Sequence, residues 1–294
     1  MSKRKRLLIL GAAGMAGHMA SIYLKETGKY DIATVCHSLM PDAGSYKLDV
    51  YDTASLEQII RKKNPDVVIN CIGVLIKGSK SNPANAIYVN AYFPHKLSEI
   101  LHAQNPDGKV IHISTDCVFS GNEGGYKDSD CKNALDTYGM TKNLGELLNG
   151  RDLTLRTSII GPELKKQGEG LMHWVFGQQA AGELNGWRKS LWGGITTLEL
   201  AKVLDAVIAS DLTGLYQVSN NEAVSKYDLV SMIVSEFGLP IKVNAVDGTV
   251  CDKSIFNSVR DGFSYRVPGY HEMISQLHAF MKSHQSLYTQ YLGE

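Results

Sequence analysis

Apolar residues in this chain fall into two kinds of run. Short stretches rich in apolar residues occur at 5–10, 32–36, 46–50, 66–71, 110–113 and 153–157. These read as buried strands, since a strand covered on both faces needs no polar alternation. Between them the apolar positions recur every three or four residues: from the glycines near 14 through Leu24, over 55–63, over 83–104, and from Tyr138 to Asn149 with Leu144, Leu147 and Leu148 on one face. That is the period of an amphipathic helix. Thr137 is the expected N-cap of the fourth helix. Strands alternating with helices predict an α/β fold, a doubly wound parallel sheet of Rossmann type.

The pattern changes after Pro162. Residues 163–195 hold all three tryptophans (174, 187, 192), many glycines and little periodicity, so they read as a lobe built onto the sheet. A clear amphipathic helix follows at 196–210, capped by Thr196 or Thr197. Further elements are expected at 215–219 (strand), 225–237 (helix capped by Ser225), 241–246 (strand) and 272–283 (helix). The final ten residues are expected to fray.

Composition narrows the function classes. The 294 residues carry 30 Lys+Arg against 30 Asp+Glu, a formal net charge of zero, which argues against a protein held on nucleic acid or an anionic membrane by bulk charge. No apolar run approaches the ~20 residues that span a bilayer. Five cysteines, at 36, 71, 117, 131 and 251, are scattered and form no C-x-x-C pair, so no metal site is expected and a reduced, cytoplasmic setting fits.

Two motifs carry chemistry. The first strand runs into Gly11-Ala-Ala-Gly14-Met15-Ala16-Gly17 and then a helix. A glycine turn between strand and helix lets backbone approach a pyrophosphate and aims the helix N-terminus at it. Dinucleotide sites often place a carboxylate at the end of the second strand to bind the ribose hydroxyls. Here Cys36-His37-Ser38 stands at that place, with nothing to repel a 2′-phosphate, which tilts the expectation toward NADPH with NADH still accepted. The second motif is Tyr138-Gly-Met-Thr-Lys142. Residues four apart share one face of a helix. An ammonium beside a phenol favours the phenolate and lowers a pKa otherwise near ~10. A hydroxyl from the stretch Ser114-Thr115-Asp116-Cys117 would hold a carbonyl against that phenol.

With these residues in view, the chain resembles the extended short-chain dehydrogenase/reductases, and within them the branch of dTDP-4-dehydrorhamnose reductase and related sugar-nucleotide reductases. The likeness rests on the Gly11–Gly17 turn, Asp49, Asn70-Cys71-Ile72-Gly73, Ser114 to Gly121, Tyr138 to Lys142, and Thr196 to Ala201. It implies NAD(P)H-dependent reduction of the 4-keto group of a 6-deoxy nucleotide sugar for surface polysaccharide. It implies Tyr138 as general acid or base, Lys142 on the nicotinamide ribose, and Thr115 on the reacting oxygen. Asp49 and Val50 would line the adenine pocket, with Cys71, Ile72, Gly73 and Asn90 along the cofactor. Residues 1–162, with the helix at 196–210, would bind the cofactor. Residues 163–195 and 211–294 would bind the nucleotide-sugar, with Trp192, Lys253 and Arg260 as candidates. A homodimer fits the resemblance. Related 4,6-dehydratases carry Asp-Glu after the threonine; here the pair is Asp116-Cys117, which argues against elimination chemistry. A C4 epimerase, an epimerase-reductase, and a non-catalytic nucleotide-binding subunit remain alternatives.

Overall fold

A computed structural model describes residues 4–37 and 44–293. Ser38 lies outside the described residues. β1 (Lys5–Leu10), α1 (Met15–Glu26), β2 (Tyr30–Cys36), β3 (Ser45–Lys47), α2 (Thr53–Lys63) and β4 (Val67–Asn70) open the chain. A helical rod follows in four pieces: α3 (Ile76–Ser81), α4 (Pro83–Ala86), a π-helical segment Ile87–Tyr92, and α5 (Phe93–Gln104). β5 (Lys109–Ser114), a 3₁₀ turn at Asp116–Val118, α6 (Thr137–Leu144), β6 (Leu153–Arg156) and β7 (Ile159–Ile160) come next. The remainder comprises α7 (Leu171–Gly177), β8 (Glu183–Trp187), β9 (Ser190–Trp192), β10 (Ile195–Thr196), α8 (Thr197–Ile208), β11 (Gly214–Gln217), β12 (Val224–Ser225), α9 (Lys226–Glu236), β13 (Lys242–Val246), β14 (Cys251–Asp252), α10 (Tyr270–Ser283) and α11 (Thr289–Leu292).

The main sheet has seven strands in the order β11-β6-β5-β4-β1-β2-β3, and every pairing is parallel. The expected doubly wound sheet is therefore present. Its edge strand β11 comes from the segment that the sequence pattern groups with the lobe. The order reverses between β1 and β4, so the carboxyl ends of β1, β4 and β5 open side by side onto one crevice, the usual ligand position in such sheets. The central strands read as continuous apolar runs because helices cover both faces. One core, around Leu7, Ile9, Met19 and Val203, lies on the α1 and α8 side. The other, around Leu8, Val68, Phe93 and Leu97, lies on the α2 and α5 side.

Local chemistry explains where elements begin and end. Asp52 caps α2 by accepting from the Ser55 amide at 2.9 Å, and Asn64 closes it with φ +42°. Thr196 and Ser225 cap α8 and α9 as their hydroxyls require. Asp136, not Thr137, caps α6, accepting from the Gly139 amide at 2.9 Å, and the helix stops at Leu144 instead of reaching Asn149. β3 ends at Lys47, which leaves Asp49 and Val50 in a turn.

The C-terminal residues are docked, not frayed. Tyr288 is fully buried. Its hydroxyl meets His18 Nε2 at 3.1 Å, while His18 Nδ1 donates to the Gly14 carbonyl at 2.9 Å. Tyr291 Oη accepts from the Glu163 amide at 2.9 Å. The tail thus braces α1 and the approach to α7. Truncating a fully buried aromatic of this size costs about 3–5 kcal/mol. Tyr288→Ala is expected to lower the unfolding free energy in a urea titration by that amount; a loss below ~1 kcal/mol would show that the tail does not hold α1.

Candidate active site

The crevice is built by three strand ends. At β1, Gly11 adopts φ +78° and its amide donates to Val35 O at 2.8 Å. A side chain on Gly17 would stand 2.2 Å from Gly11 O, so this turn and α1 pack backbone to backbone. Gly14 precedes α1 and brings no side-chain oxygen to its first amides. The first turn, with Met15 and Ala16, therefore presents free N–H groups and the positive end of the helix dipole, a fit for a dinucleotide pyrophosphate. Met15 itself leans against Gly170. His37 stands exposed just past β2.

At β4, Asn70 is fully buried and its Oδ1 accepts from the Ile72 amide at 3.1 Å, which shapes Cys71-Ile72-Gly73 into the crevice wall. Ile72 packs over Gly11. Asn90 comes from the π-helical segment; its Oδ1 accepts from Val74 N at 2.8 Å and its Nδ2 donates to Thr141 Oγ1 at 3.2 Å. This segment therefore ties the strand-end loop to α6. Asp49 is exposed and accepts from the Tyr51 amide at 3.0 Å, while Val50 O accepts from the Tyr88 hydroxyl at 3.2 Å.

At β5, Thr115 is buried and faces Tyr138 at the start of α6. Gly139 makes this approach possible, because a Cβ there would fall 2.1 Å from Cys117 O. Burial pushes the Tyr138 phenol above its ordinary pKa; Cys117, Asp116 and Asp136 add to the rise and the Thr115 hydroxyl opposes it. The spacing predicts the reverse, a phenol lowered by Lys142. The difference is geometric: Lys142 Nζ is turned to the Ile113 carbonyl at 2.7 Å and to His112 Nε2 at 3.4 Å. Burial lowers the Lys142 pKa to about 8, with Glu146 and Cys71 opposing.

Of the candidate substrate residues, the structure brings only Lys253 to this turn. Burial opposes its charge, but the Cys117 thiol and the Asp116 carboxyl hold its pKa above the usual value. Cys117 nevertheless remains a thiol, pushed up to about 12 by burial. Arg260 lies elsewhere, donating to Asp128 at 3.0 Å and to Leu215 O at 2.8 Å on the sheet's edge strand. Trp192 is buried in the lobe against Tyr270, its indole N–H donating to Ser158 Oγ at 2.8 Å. Sequence reasoning gave His112 no part and Asn70 only a place in its motif; the two meet at 3.1 Å behind Lys142. The available signal was a histidine inside the apolar run Val110-Ile111-His112-Ile113. Among the described residues no group of side chains is arranged to hold a metal ion, and no helix is long and apolar enough to cross a membrane.

A parallel sheet with a glycine turn at its reversal point, and a Thr-Tyr-Lys constellation beside it, define an NAD(P)-dependent oxidoreductase of the short-chain dehydrogenase/reductase class. Family comparison narrows this: the RmlD substrate binding domain model matches residues 5–251, and the chain belongs to that family of sugar-nucleotide reductases. A probable low-salt glycan biosynthesis reductase of Haloferax volcanii is 28% identical over 246 residues, 78% of this chain and 79% of its own. The dTDP-4-dehydrorhamnose reductase of Mycobacterium tuberculosis is 33% identical over 150 residues, spanning 49% of this chain and 45% of its own. Among solved structures, a dTDP-4-dehydrorhamnose reductase from Bacillus anthracis in complex with NADP shares the fold at a TM-score of 0.79 and 22% identity, covering 95% of this chain and all of its own.

Proposed function

We propose that this chain reduces the 4-keto group of a 6-deoxy nucleotide sugar destined for surface polysaccharide, with NADPH preferred over NADH. The observation that carries the reading is Thr115 facing Tyr138 at the end of β5, with Lys142 one turn along α6 and close to the Cys71–Gly73 wall that borders the Gly11–Gly17 turn. The cofactor, when bound, supplies the hydride. Thr115 Oγ1 and the Tyr138 hydroxyl hold the sugar's carbonyl oxygen, and Tyr138 delivers the proton. Lys142 serves the nicotinamide ribose and Asn90 supports it through Val74 and Thr141. Lys253 is assigned to the substrate, as the cation lying against Asp116 and Cys117. Cys117, in place of a dehydratase glutamate, remains protonated and so favours reduction over elimination. Two alternatives answer to one assay: a C4 epimerase isomerises the sugar without consuming NADPH, and a binding subunit does neither. The second has some standing because methionine adenosyltransferase 2 subunit beta of Xenopus tropicalis is 23% identical over 80% of this chain and 73% of its own.

General acid help of this kind is worth on the order of 10²–10⁴-fold. Tyr138→Phe is expected to lose turnover on a 4-keto-6-deoxy nucleotide sugar by that factor, followed as NADPH absorbance, while cofactor affinity stays within a few fold. Retained activity would remove Tyr138 from the role.

For the cofactor, His37 can donate a hydrogen bond to a 2′-phosphate but lacks an arginine's fixed, forked charge. Wild-type kcat/KM is expected to be modestly higher with NADPH. His37→Asp should turn the ratio toward NADH, because a carboxylate accepts from the ribose and repels the phosphate. An unchanged ratio in the mutant would place phosphate recognition elsewhere.

The proposal includes a homodimer. Met140 and Leu144, at 52% and 65% exposure, stand on α6, which packs along the π-helical segment that carries the exposed Ile87. An apolar face of this kind is suited to a second copy of itself. Leu144→Glu is expected to convert a dimer to a monomer in light scattering after size exclusion; a wild-type monomer at micromolar concentration would end this part of the reading.

A further inference from the structure

Behind Lys142 lies a buried polar chain that the reaction as described does not use. Asn70 and His112 are both fully inaccessible, in strands otherwise filled by Val67, Val68, Ile69, Val110 and Ile111. Polar groups in such a place persist when they are hydrogen-bonded, so their arrangement carries information.

The donors can be assigned one by one. Ile72 N–H needs an acceptor and finds Asn70 Oδ1 at 3.1 Å. This fixes the amide's orientation and leaves Asn70 Nδ2, a donor with no lone pair to offer, 3.1 Å from His112 Nδ1. His112 Nδ1 must therefore be the bare nitrogen. A neutral imidazole carries its proton on the other one, so Nε2 bears a hydrogen and points it at Lys142 Nζ, 3.4 Å away. An ammonium has three donors and no acceptor. Only the neutral amine can receive the His112 hydrogen while still donating to Ile113 O. Protonating His112 offers no escape, since burial and the Lys142 charge both disfavour it.

We propose that His112, locked by Asn70, is a positioning residue that favours the neutral form of Lys142 and thereby sets the pH range over which the cofactor binds. The inference rests on the assignment of Lys142 to the cofactor ribose. The other groups facing Lys142 leave His112 the deciding partner. Glu146, just past the end of α6, is engaged by Arg156 at 2.7 Å and by Ser114 at 2.8 Å, with Lys132 at 3.9 Å. The Cys71 thiol is pushed up to about 12 by burial and stays uncharged. Tyr138, on the same helix, is also held neutral. Asn90 approaches from the π-helical segment and is engaged by Val74 and Thr141.

The sign of the pH effect follows. If the ammonium form holds the ribose, affinity is full while Lys142 is protonated and falls as pH rises through its free-state pKa, lowered to about 8. Replacing His112 by glutamine lets a carbonyl oxygen face Nζ, which stabilises the ammonium and moves that fall upward. The test is a fluorescence titration of NADPH onto the full chain between pH 6.5 and 9.5, for wild type, His112→Gln and Lys142→Met. The expected result is a wild-type break near pH 8 in log Kd, moved up by roughly one pH unit in His112→Gln, as expected when one hydrogen bond changes partner, and absent in Lys142→Met. A break that stays in place in His112→Gln, with overall affinity merely reduced, overturns the proposal and leaves Lys142 as ribose ligand. A break that persists in Lys142→Met removes the Lys142 assignment and the proposal with it. Should His112→Gln not fold, ¹⁵N chemical shifts of the wild-type imidazole decide the matter, since an Nδ1–H tautomer contradicts the chain of donors on which the inference stands.

Discussion

Putting an ammonium into a protein interior is costly unless other groups replace the water it leaves. In this chain that ammonium belongs to Lys142, and much of the surrounding architecture answers to it. β5 offers the Ile113 carbonyl as an acceptor and the turn just past α6 brings Glu146, while His112, held by Asn70 of β4, turns a ring N–H toward the same nitrogen and opposes the charge. Glu146 is in turn held by Arg156, whose other arm donates to Gln217 at 2.7 Å on the edge strand. A line of polar groups thus runs across the sheet from β4 to β11 beneath the crevice. Its members are spread over nearly 150 residues of sequence, so the lysine can be accommodated only when the whole sheet is assembled.

Close backbone packing is the companion constraint. α1 meets the glycine turn through Gly17, and α6 meets the Thr115–Cys117 turn through Gly139. In both places a methyl group would collide with a carbonyl oxygen, so the two helices are set against the strand ends by absent side chains. This brings the N-terminus of α1 and the Tyr138 phenol to the carboxyl end of the sheet from its two opposite faces. The chemistry expected of the crevice then depends on small differences in charge, because Thr115, Asp116, Tyr138 and Lys142 are all screened poorly from one another in a medium drier than water.

Much of this was legible in the sequence. Continuous apolar runs separated by helical periods identify a parallel sheet covered on both faces, and the glycine turn and Tyr138–Lys142 spacing mark the crevice. Element ends were less legible. Asp136 took the capping place from Thr137 because a carboxylate one residue earlier reaches the Gly139 amide. The tail reads as polar and terminal, yet two of its tyrosines find cavities formed by α1 and by Glu163, contacts more than a hundred residues distant in sequence. The candidate substrate residues divided for the same reason. Lys253 and Arg260 are seven apart and chemically alike, but Gly121 admits the first to the Thr115–Cys117 turn while Asp128 holds the second at the sheet edge. The charge state of Lys142 could not be read at all, since it depends on which way a buried amide faces.

The π-helical stretch at Ile87–Tyr92 has a consequence for how this chain can vary. A π turn carries one more residue than the α turn it interrupts, and such turns occur mostly as isolated bulges at functional places. Here the surplus residue lies in the turn that aims Asn90 at Val74 and Thr141. Removing one residue would close the widened turn into a regular helix with the flanking turns kept nearly in register, and the bulge that aims Asn90 would be gone. Asn90 would leave its partners while the apolar face of α5 stays on the sheet. Surface loops in this protein can lengthen or shorten at small cost; this rod cannot, and its residue count is as much a part of the active crevice as any side chain within it.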